Sequence, residues 1–177
     1  QQRMLFLTGP NMAGKTTYMR ACATAFYLAH LGMGVPAKSF SFSTAQCLYS
    51  SISLADNLND GVSYFRAEAL RVKAIAKAVA DGYRVAAFMD EPFKGTNIKD
   101  AIEATGVILG SLATKQDCLF MFSSHLIELS EQMSATEQID CRYFEAGESG
   151  GELSFEYILC SGVSTQRLGM RVLREEG

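Results

Sequence analysis

The sequence of 177 residues predicts an α/β fold, in which a mostly parallel sheet is flanked by helices and carries antiparallel strands at its edges. Apolar runs of strand length alternate along the chain with longer segments of helical periodicity. Three of the apolar runs end in glycine-rich or polar motifs, as is typical of the carboxyl ends of parallel strands. Two β-like runs also follow one another directly, and two more flank a glycine-rich turn, which favours antiparallel strands at the edges.

The first apolar run, Met4 to Leu7, is followed by a glycine-rich loop and a long helical pattern. The loop matches the phosphate-binding pattern G-x-x-x-x-G-K-S/T, in the strand, loop and helix context that the pattern requires. Glycines let backbone N–H groups close around phosphates, and the helix N-terminus adds the positive end of its dipole. The residues of this phosphate loop are Thr8, Gly9, Pro10, Asn11, Met12, Ala13, Gly14, Lys15, Thr16 and Thr17.

Two side chains of the loop carry specific chemistry. We expect Lys15 to reach the β- and γ-phosphates of a nucleoside triphosphate, and the Thr16 hydroxyl to ligate Mg²⁺. The alternative is a glycine-rich turn with a chance Lys-Thr pair. Phosphate chemistry alone does not select ATP over GTP. The loop therefore predicts a P-loop nucleoside triphosphate hydrolase.

The segment after the loop predicts one helix and two strands. Residues 17–31 have the spacing of a largely apolar helix, which Gly32, Gly34 and Pro36 end. Residues 39–42 alternate between serine and phenylalanine at period 2, and residues 47–52 form a second β candidate. Each of these two strands is expected to have one polar face.

The next helix follows a loop of turn-forming residues, 56–61. Ser63 stands at the N-cap position, and residues 64–80 have apolar residues at helical spacing before Asp81 and Gly82. At this point Ser63 can be read either as a simple helix cap or as a residue aimed at a ligand.

Residues 85–89 form an unbroken apolar run, typical of a strand buried on both faces, and the run ends in Asp90 and Glu91. Adjacent carboxylates at the end of a buried strand are costly unless a cation or water uses them. We expect Asp90 to hold Mg²⁺, directly or through water, and Glu91 to polarise the attacking water. A surface turn with two solvated acids is the alternative.

The buried-strand pattern recurs at residues 118–122, after a predicted helix at residues 98–114. This strand leads into Ser123, Ser124 and His125. Because open α/β sheets bind ligands at the carboxyl ends of their strands, we predict a functional role for His125. His30, near the glycine-rich end of its helix, is interpreted as structural.

The last part of the chain predicts a hairpin and a terminal helix. Residues 139–146 and 152–159 flank the turn formers 147–151, and residues 164–174 have a helical pattern with basic residues in the second half.

Length and composition predict a single domain over residues 1–177, with ordinary hydrophobic and charged fractions. The net charge of −3 argues against a stand-alone nucleic-acid binder. Five cysteines without a C-x-x-C pair favour a reducing cytoplasm over a disulfide framework or a zinc site. We expect no membrane-spanning segment, and we expect the chain to be a piece of a longer protein.

The order of these motifs resembles that in the ATPases of the transporter and SMC-like class. The residues within the motifs resemble those of the MutS family of DNA mismatch repair ATPases. The loop from Thr8 to Arg20 is similar to the phosphate loop of that family, including its Pro-Asn-Met insert. The resemblance continues in order over nearly the whole chain. Its further segments are residues 56–65, Asp90-Glu91 with Gly95-Thr96, and Ser124-His125 with Glu128-Leu129.

The resemblance implies an ATPase domain with ATP and Mg²⁺ as cofactors, which dimerises with itself or a MutS-like partner around two composite sites. It implies that Ser63 approaches the γ-phosphate in the partner's site and that His125 senses the γ-phosphate in its own. Asn11 belongs to the family's loop, and residues 95–97 would lie near the dimer seam. DNA would be held by domains outside this chain, so that ATP switches a DNA clamp.

Some residues depart from the family pattern and suggest a divergent MutS-related branch, in mismatch repair or recombination. Ala13 and Thr16 replace a common glycine and serine of the loop, residues 92–94 replace the usual residues after Asp-Glu, and Tyr64 replaces a common threonine. A transporter-type or SMC-type ATPase is one alternative, although the transporter signature L-S-G-G-Q is absent. A nucleotide-responsive dimerisation module with little turnover is another.

Overall fold

The computed structural model describes residues 3–52, 64–93, 96–149, 152–164 and 166. Strands and helices alternate along most of the chain, as the sequence predicts. In chain order they are β1 (Met4–Thr8), α1 (Lys15–His30), β2 (Cys47–Ser51), α2 (Tyr64–Ala80), β3 (Val85–Asp90), α3 (Ile98–Ala113), β4 (Leu119–Ser123), α4 (Ile127–Ser134), β5 (Ile139–Ser149) and β6 (Glu152–Ser161).

The strands form one six-stranded sheet in the order β2-β3-β4-β1-β5-β6. The first five strands in this order are parallel, and β6 pairs with β5 in the antiparallel direction. The prediction of a mostly parallel sheet with helices is therefore confirmed. Because β1 and β3 both pair with β4 in the parallel direction, the loop that follows Thr8 emerges beside the carboxyl ends of β3 and β4, at one edge of the sheet.

Helices cover both faces of the sheet. On one face, α1 packs through Met19 and Phe26 against residues such as Phe88. On the other face, α2, α3 and α4 contribute Ile75, Leu109, Leu129 and further residues to the larger core. Side chains of a strand alternate between faces, so central strands that are buried on both faces have unbroken apolar sequences.

The segment 39–42 is not a strand, contrary to the prediction. Phe42 packs against α1 instead, with its ring centroid 5.7 Å from that of Phe26 and 5.1 Å from that of His30, and the Phe40 ring packs against Phe42 at 5.6 Å. His30 also accepts a hydrogen bond at Nε2 from the Ala45 N–H (2.9 Å), and its Nδ1 lies 2.8 Å from the Phe26 carbonyl oxygen. His30 thus has contacts of a structural kind.

The prediction of antiparallel strands at the edges is only partly right. β2 is an edge strand as expected, but it runs parallel to β3. Because α1 and the chain after it return to the opposite end of the sheet, β2 starts in the same direction as β1. Only the late hairpin, β5 with β6, supplies the antiparallel pair among the described strands.

Several boundaries and one helix differ from the predictions. α1 begins at Lys15 rather than Thr17, and α4 is a helix that the sequence reasoning did not predict. The loop 56–61, Ser63 and most of the expected terminal helix lie outside the described residues. All five cysteines have free thiols. Within the described part of the chain, no helix has the length and apolarity needed to cross a membrane.

Candidate functional site

The loop after β1 has a backbone conformation that requires glycine. Gly9 and Gly14 have φ angles of 133° and 102°, and Met12 has a φ of 69°. A Cβ atom on Gly9 would lie 2.5 Å from the carbonyl oxygen of Phe144, which is far inside van der Waals contact. Gly14 is the N-cap residue of α1 and brings the chain into the helix. The loop therefore lies between the end of β1 and the positive end of the α1 dipole.

The side chain of Lys15 turns back into this loop. It is 5% exposed, and its Nζ donates hydrogen bonds to the carbonyl oxygens of Gly9 (2.8 Å) and Pro10 (3.0 Å). Burial lowers the pKa of Lys15, while the carboxylates of Glu91 and Asp90 oppose this effect. The ammonium group is thus held under the loop in partly desolvated surroundings, where its attraction to an anion is stronger than in water.

Thr16 meets Asp90 at the end of β3. The Thr16 hydroxyl donates a hydrogen bond of 2.6 Å to Oδ2 of Asp90, and the Ser123 hydroxyl donates to Oδ1. Ser123 is the residue that pairs with Asp90 in the parallel register of β3 and β4. Hydroxyl and carboxylate oxygens are ligands that Mg²⁺ prefers, so the pair Thr16 and Asp90 fits the predicted metal site.

Glu91 and His125 come together beside this pair. Nδ1 of His125 lies 2.9 Å from Oε1 of Glu91, and Nζ of Lys15 lies 3.8 Å from the same oxygen. Glu91 has a φ of 48°, which is uncommon for a residue with a side chain, and its N–H donates to Ser123 at 3.2 Å. A residue held in this left-handed conformation next to other polar groups is typical of a functional site.

Two residues of this site were missed by the sequence reasoning. Ser123 orients Asp90, and its only sequence signal is a polar residue at the end of an apolar strand. Tyr157 has a φ of 55° in an irregular part of β6, where the register to β5 shifts between Phe144 and Ala146. Its Cδ1 lies 3.1 Å from the place of a Cβ on Gly14, and the residue is 63% exposed. The ring therefore borders the loop, and no local pattern predicts this.

The structure brings most of the predicted site residues to one edge of the sheet. Among the loop residues, Ala13 is buried, Asn11 and Thr17 are exposed, and Met12 is 77% exposed. Ser63 and Gly95 lie outside the described residues. Asn97 caps α3 by accepting a hydrogen bond from the Asp100 N–H, which is a structural contact.

Comparison with known protein families identifies a match over most of the chain. A family model described as MutS domain V matches residues 5–177. The match covers nearly the whole chain, including the glycine-rich loop, Asp90, Glu91 and His125.

Proposed function

This chain belongs to the MutS family and matches its domain V, the ATPase domain, and we propose that it binds ATP with Mg²⁺ and hydrolyses ATP in DNA mismatch repair or recombination. We assign its fold to the P-loop nucleoside triphosphate hydrolases. One observation carries the proposal most strongly, the convergence of Lys15, Thr16, Asp90, Glu91 and His125 at the carboxyl ends of β1, β3 and β4.

Residues 9–17 of the phosphate loop bind the triphosphate. Its backbone N–H groups and the N-terminus of α1 offer donors and positive potential to the phosphate oxygens. Lys15 supplies a full positive charge from a buried position. Since desolvation lowers the pKa of Lys15, a bound triphosphate raises that pKa again and holds the ammonium form.

Thr16 and Asp90 hold Mg²⁺. When bound, the metal ion neutralises charge that develops on the phosphate oxygens. The two oxygens that would ligate it are already 2.6 Å apart, and Ser123 fixes the second carboxylate oxygen of Asp90. The chain thus presents together the hydroxyl and the carboxylate that would hold Mg²⁺.

Glu91 orients and polarises the attacking water as the general base. His125 keeps the Glu91 carboxylate in place through Nδ1, and its ring, which is 45% exposed, contacts the γ-phosphate when nucleotide is bound. Lys15 shares Oε1 of Glu91 with His125. Binding of a triphosphate to Lys15 would weaken this shared contact and so free the carboxylate for water.

Tyr157 packs against the nucleotide base. Its ring lies against Gly14 at the rim of the loop and is mostly exposed. An aromatic face in this position can stack on adenine, which adds affinity that the phosphate contacts do not supply.

The site works in a dimer, with a second copy or a MutS-like partner. The family implies a composite site in which Ser63 reaches the γ-phosphate of the partner subunit. The exposed side chains of Met12 and Tyr157 give this edge an apolar surface that a partner can cover. DNA is held by parts of the protein outside this chain, and ATP switches the DNA clamp. The protein is a divergent member of the MutS family and acts in the cytoplasm.

Equilibrium binding of a fluorescent ATP analogue tests the nucleotide site. We expect the wild-type protein to bind the analogue with Mg²⁺, and Lys15→Ala to weaken binding by about a hundredfold or more, because a buried charge-assisted contact is lost. Lys99→Ala, at an exposed position on α3, is the matched control and should bind like the wild type. Equal binding by the wild type and Lys15→Ala would refute the assignment of the loop.

A further inference from the structure

The chain that leaves β6 crosses back to the base of the phosphate loop. Gly162, with a φ of 108°, turns the chain, and its N–H donates to the carbonyl oxygen of Cys141 at 2.8 Å. The Ser164 N–H then donates to Oγ1 of Thr8 at 2.8 Å, and both residues are buried. Thr8 is the last residue of β1, so the crossing chain contacts the loop where the loop begins.

Gln166 makes a two-point contact with β5. Its Nε2 donates to the carbonyl oxygen of Ala146 (2.8 Å), and its Oε1 accepts from the N–H of Ala146 (2.9 Å). The pairing of β1 with β5 ends at Thr8 and Tyr143, because β1 continues into the loop. The side-chain amide of Gln166 therefore satisfies backbone groups of β5 beyond the point where β1 stops pairing with it.

The same part of β5 contacts the phosphate loop directly. The carbonyl group of Phe144 lies so close to Gly9 that a Cβ atom there would be 2.5 Å away. The Phe144 ring also packs edge-on against Tyr18 of α1, with centroids 5.7 Å apart. A shift of β5 at Phe144 would thus disturb Gly9 at the start of the loop and Tyr18, the first residue after it.

From these contacts we propose that Gln166 is a positioning residue for the phosphate loop, which acts through β5 and the Ser164 to Thr8 hydrogen bond. It holds the loop in the conformation that accepts phosphates, without touching the nucleotide. This inference rests on the proposed function of the loop. Because coupling between two sites is reciprocal, a bound nucleotide also stabilises the contact between Gln166 and Ala146.

Nucleotide affinity and turnover of the full-length protein test this role. Gln166→Ala should raise the Kd of a fluorescent ATP analogue and the KM for ATP by about tenfold, since two hydrogen bonds are lost. The kcat should stay within about twofold, because Gln166 contacts no reacting group. Gln166→Glu should weaken binding similarly, since a carboxylate can accept from the Ala146 N–H but cannot donate to its carbonyl oxygen.

Gln46→Ala is the matched control. The Gln46 side chain also accepts a backbone N–H, from Arg84 at 2.9 Å, but at the opposite end of the sheet. Its removal should leave Kd and KM unchanged. If the wild type binds the analogue, and both Gln166→Ala and Gln166→Glu bind it as tightly as the wild type, the inference is wrong while the proposed function stands. If the wild type itself does not bind, both are wrong.

Hydrogen exchange in the wild-type protein tests the inference without a substitution. Addition of the ATP analogue with Mg²⁺ should slow exchange of the Ala146 amide, which donates to Gln166. An unchanged rate at Ala146, with the loop amides protected by the nucleotide, would overturn the inference even if the variants fail to fold.

Discussion

Nδ1 of His125 lies 2.9 Å from Oε1 of Glu91, although the two residues are 34 positions apart in the chain. The contact exists because β3 and β4 are neighbours, so that the residues after their carboxyl ends meet. A carboxylate only accepts hydrogen bonds, so the Nδ1 atom carries the proton in this contact. In the proposed function, this contact lets His125 orient the Glu91 carboxylate.

His125→Ala should lower kcat for ATP hydrolysis by about ten- to a hundredfold, with a change in KM of less than about threefold. The reason is that Glu91 loses the group that holds its carboxylate in place. Steady-state ATPase assays of the full-length protein measure both constants. His30→Ala is the control, because His30 contacts Phe26 and Ala45 away from this edge of the sheet. A raised KM with unchanged kcat would contradict the role given to His125.

Lys15 should make the stability of the protein depend on pH in the alkaline range. Burial lowers its pKa in the folded state below 10.5, the ordinary pKa of a lysine side chain. Between the folded pKa and 10.5, the unfolded chain binds the proton that the folded chain has lost, so this contribution to stability rises with pH. Lys15→Met removes it.

Urea unfolding at a series of pH values, from neutral to the alkaline limit of reversible folding, measures this effect. The free energy of unfolding of the wild type minus that of Lys15→Met should increase as pH rises. Lys99→Met, which replaces an exposed lysine of α3, is the control for the change of lysine to methionine. A difference that falls with pH would mean that folding raises the pKa of Lys15 instead of lowering it.

Gly9→Ala should destabilise the protein by about 2–4 kcal/mol. The substitution forces a φ of 133° on a residue with a side chain and places a Cβ atom 2.5 Å from the Phe144 carbonyl oxygen. Chemical denaturation measures the change. Gly34→Ala is the control, because a Cβ at Gly34 meets no atom within 4 Å, and its stability should stay within about 0.5 kcal/mol of the wild type. Equal stability of the two variants would show that the described loop conformation is wrong.

Tyr157→Ala should weaken binding of the ATP analogue by about ten- to a hundredfold, since base stacking on an aromatic ring is lost. Tyr157→Phe keeps the ring and should bind within about twofold of the wild type. Titration of both variants with the same analogue provides the comparison. If the two variants bind alike, the ring does not stack on the base.

The dimer proposal has its own test in sedimentation of Glu91→Gln with and without Mg-ATP. Loss of the base should trap the ATP state, so ATP should convert monomer to dimer, and Ser63→Ala in the same background should abolish the conversion. A full-length Glu91→Gln protein that binds ATP and stays monomeric would contradict the composite site.

The fold and most of the site were predictable because their signals are local. The unbroken apolar strands at residues 85–89 and 118–122, the helix at residues 64–80 and the glycine-rich loop each depend on neighbouring residues. The parallel part of the sheet then follows, because each of the strands β1 to β4 is separated from the next strand by a connection long enough to return the chain.

The features that were not predicted depend on contacts between distant residues. Phe40 and Phe42 alternate with serines as in a strand, yet Phe42 packs against α1 and Phe40 packs against Phe42. The period of a sequence does not say which surface the rings meet. Tyr157 reaches the loop only through the register shift between β5 and β6. Likewise, Ser123 orients Asp90 only because β3 and β4 pair in this register.

The measurement that tests the central claim most directly is ATP turnover by the full-length protein, compared between the wild type, Glu91→Gln and Glu103→Gln. Glu103 is an exposed glutamate of α3, so its variant should hydrolyse ATP like the wild type. Glu91→Gln should bind Mg-ATP as well as the wild type while its turnover falls by about a hundredfold or more. Unchanged turnover in Glu91→Gln would contradict the assignment of this site as an ATPase centre with Glu91 as its base.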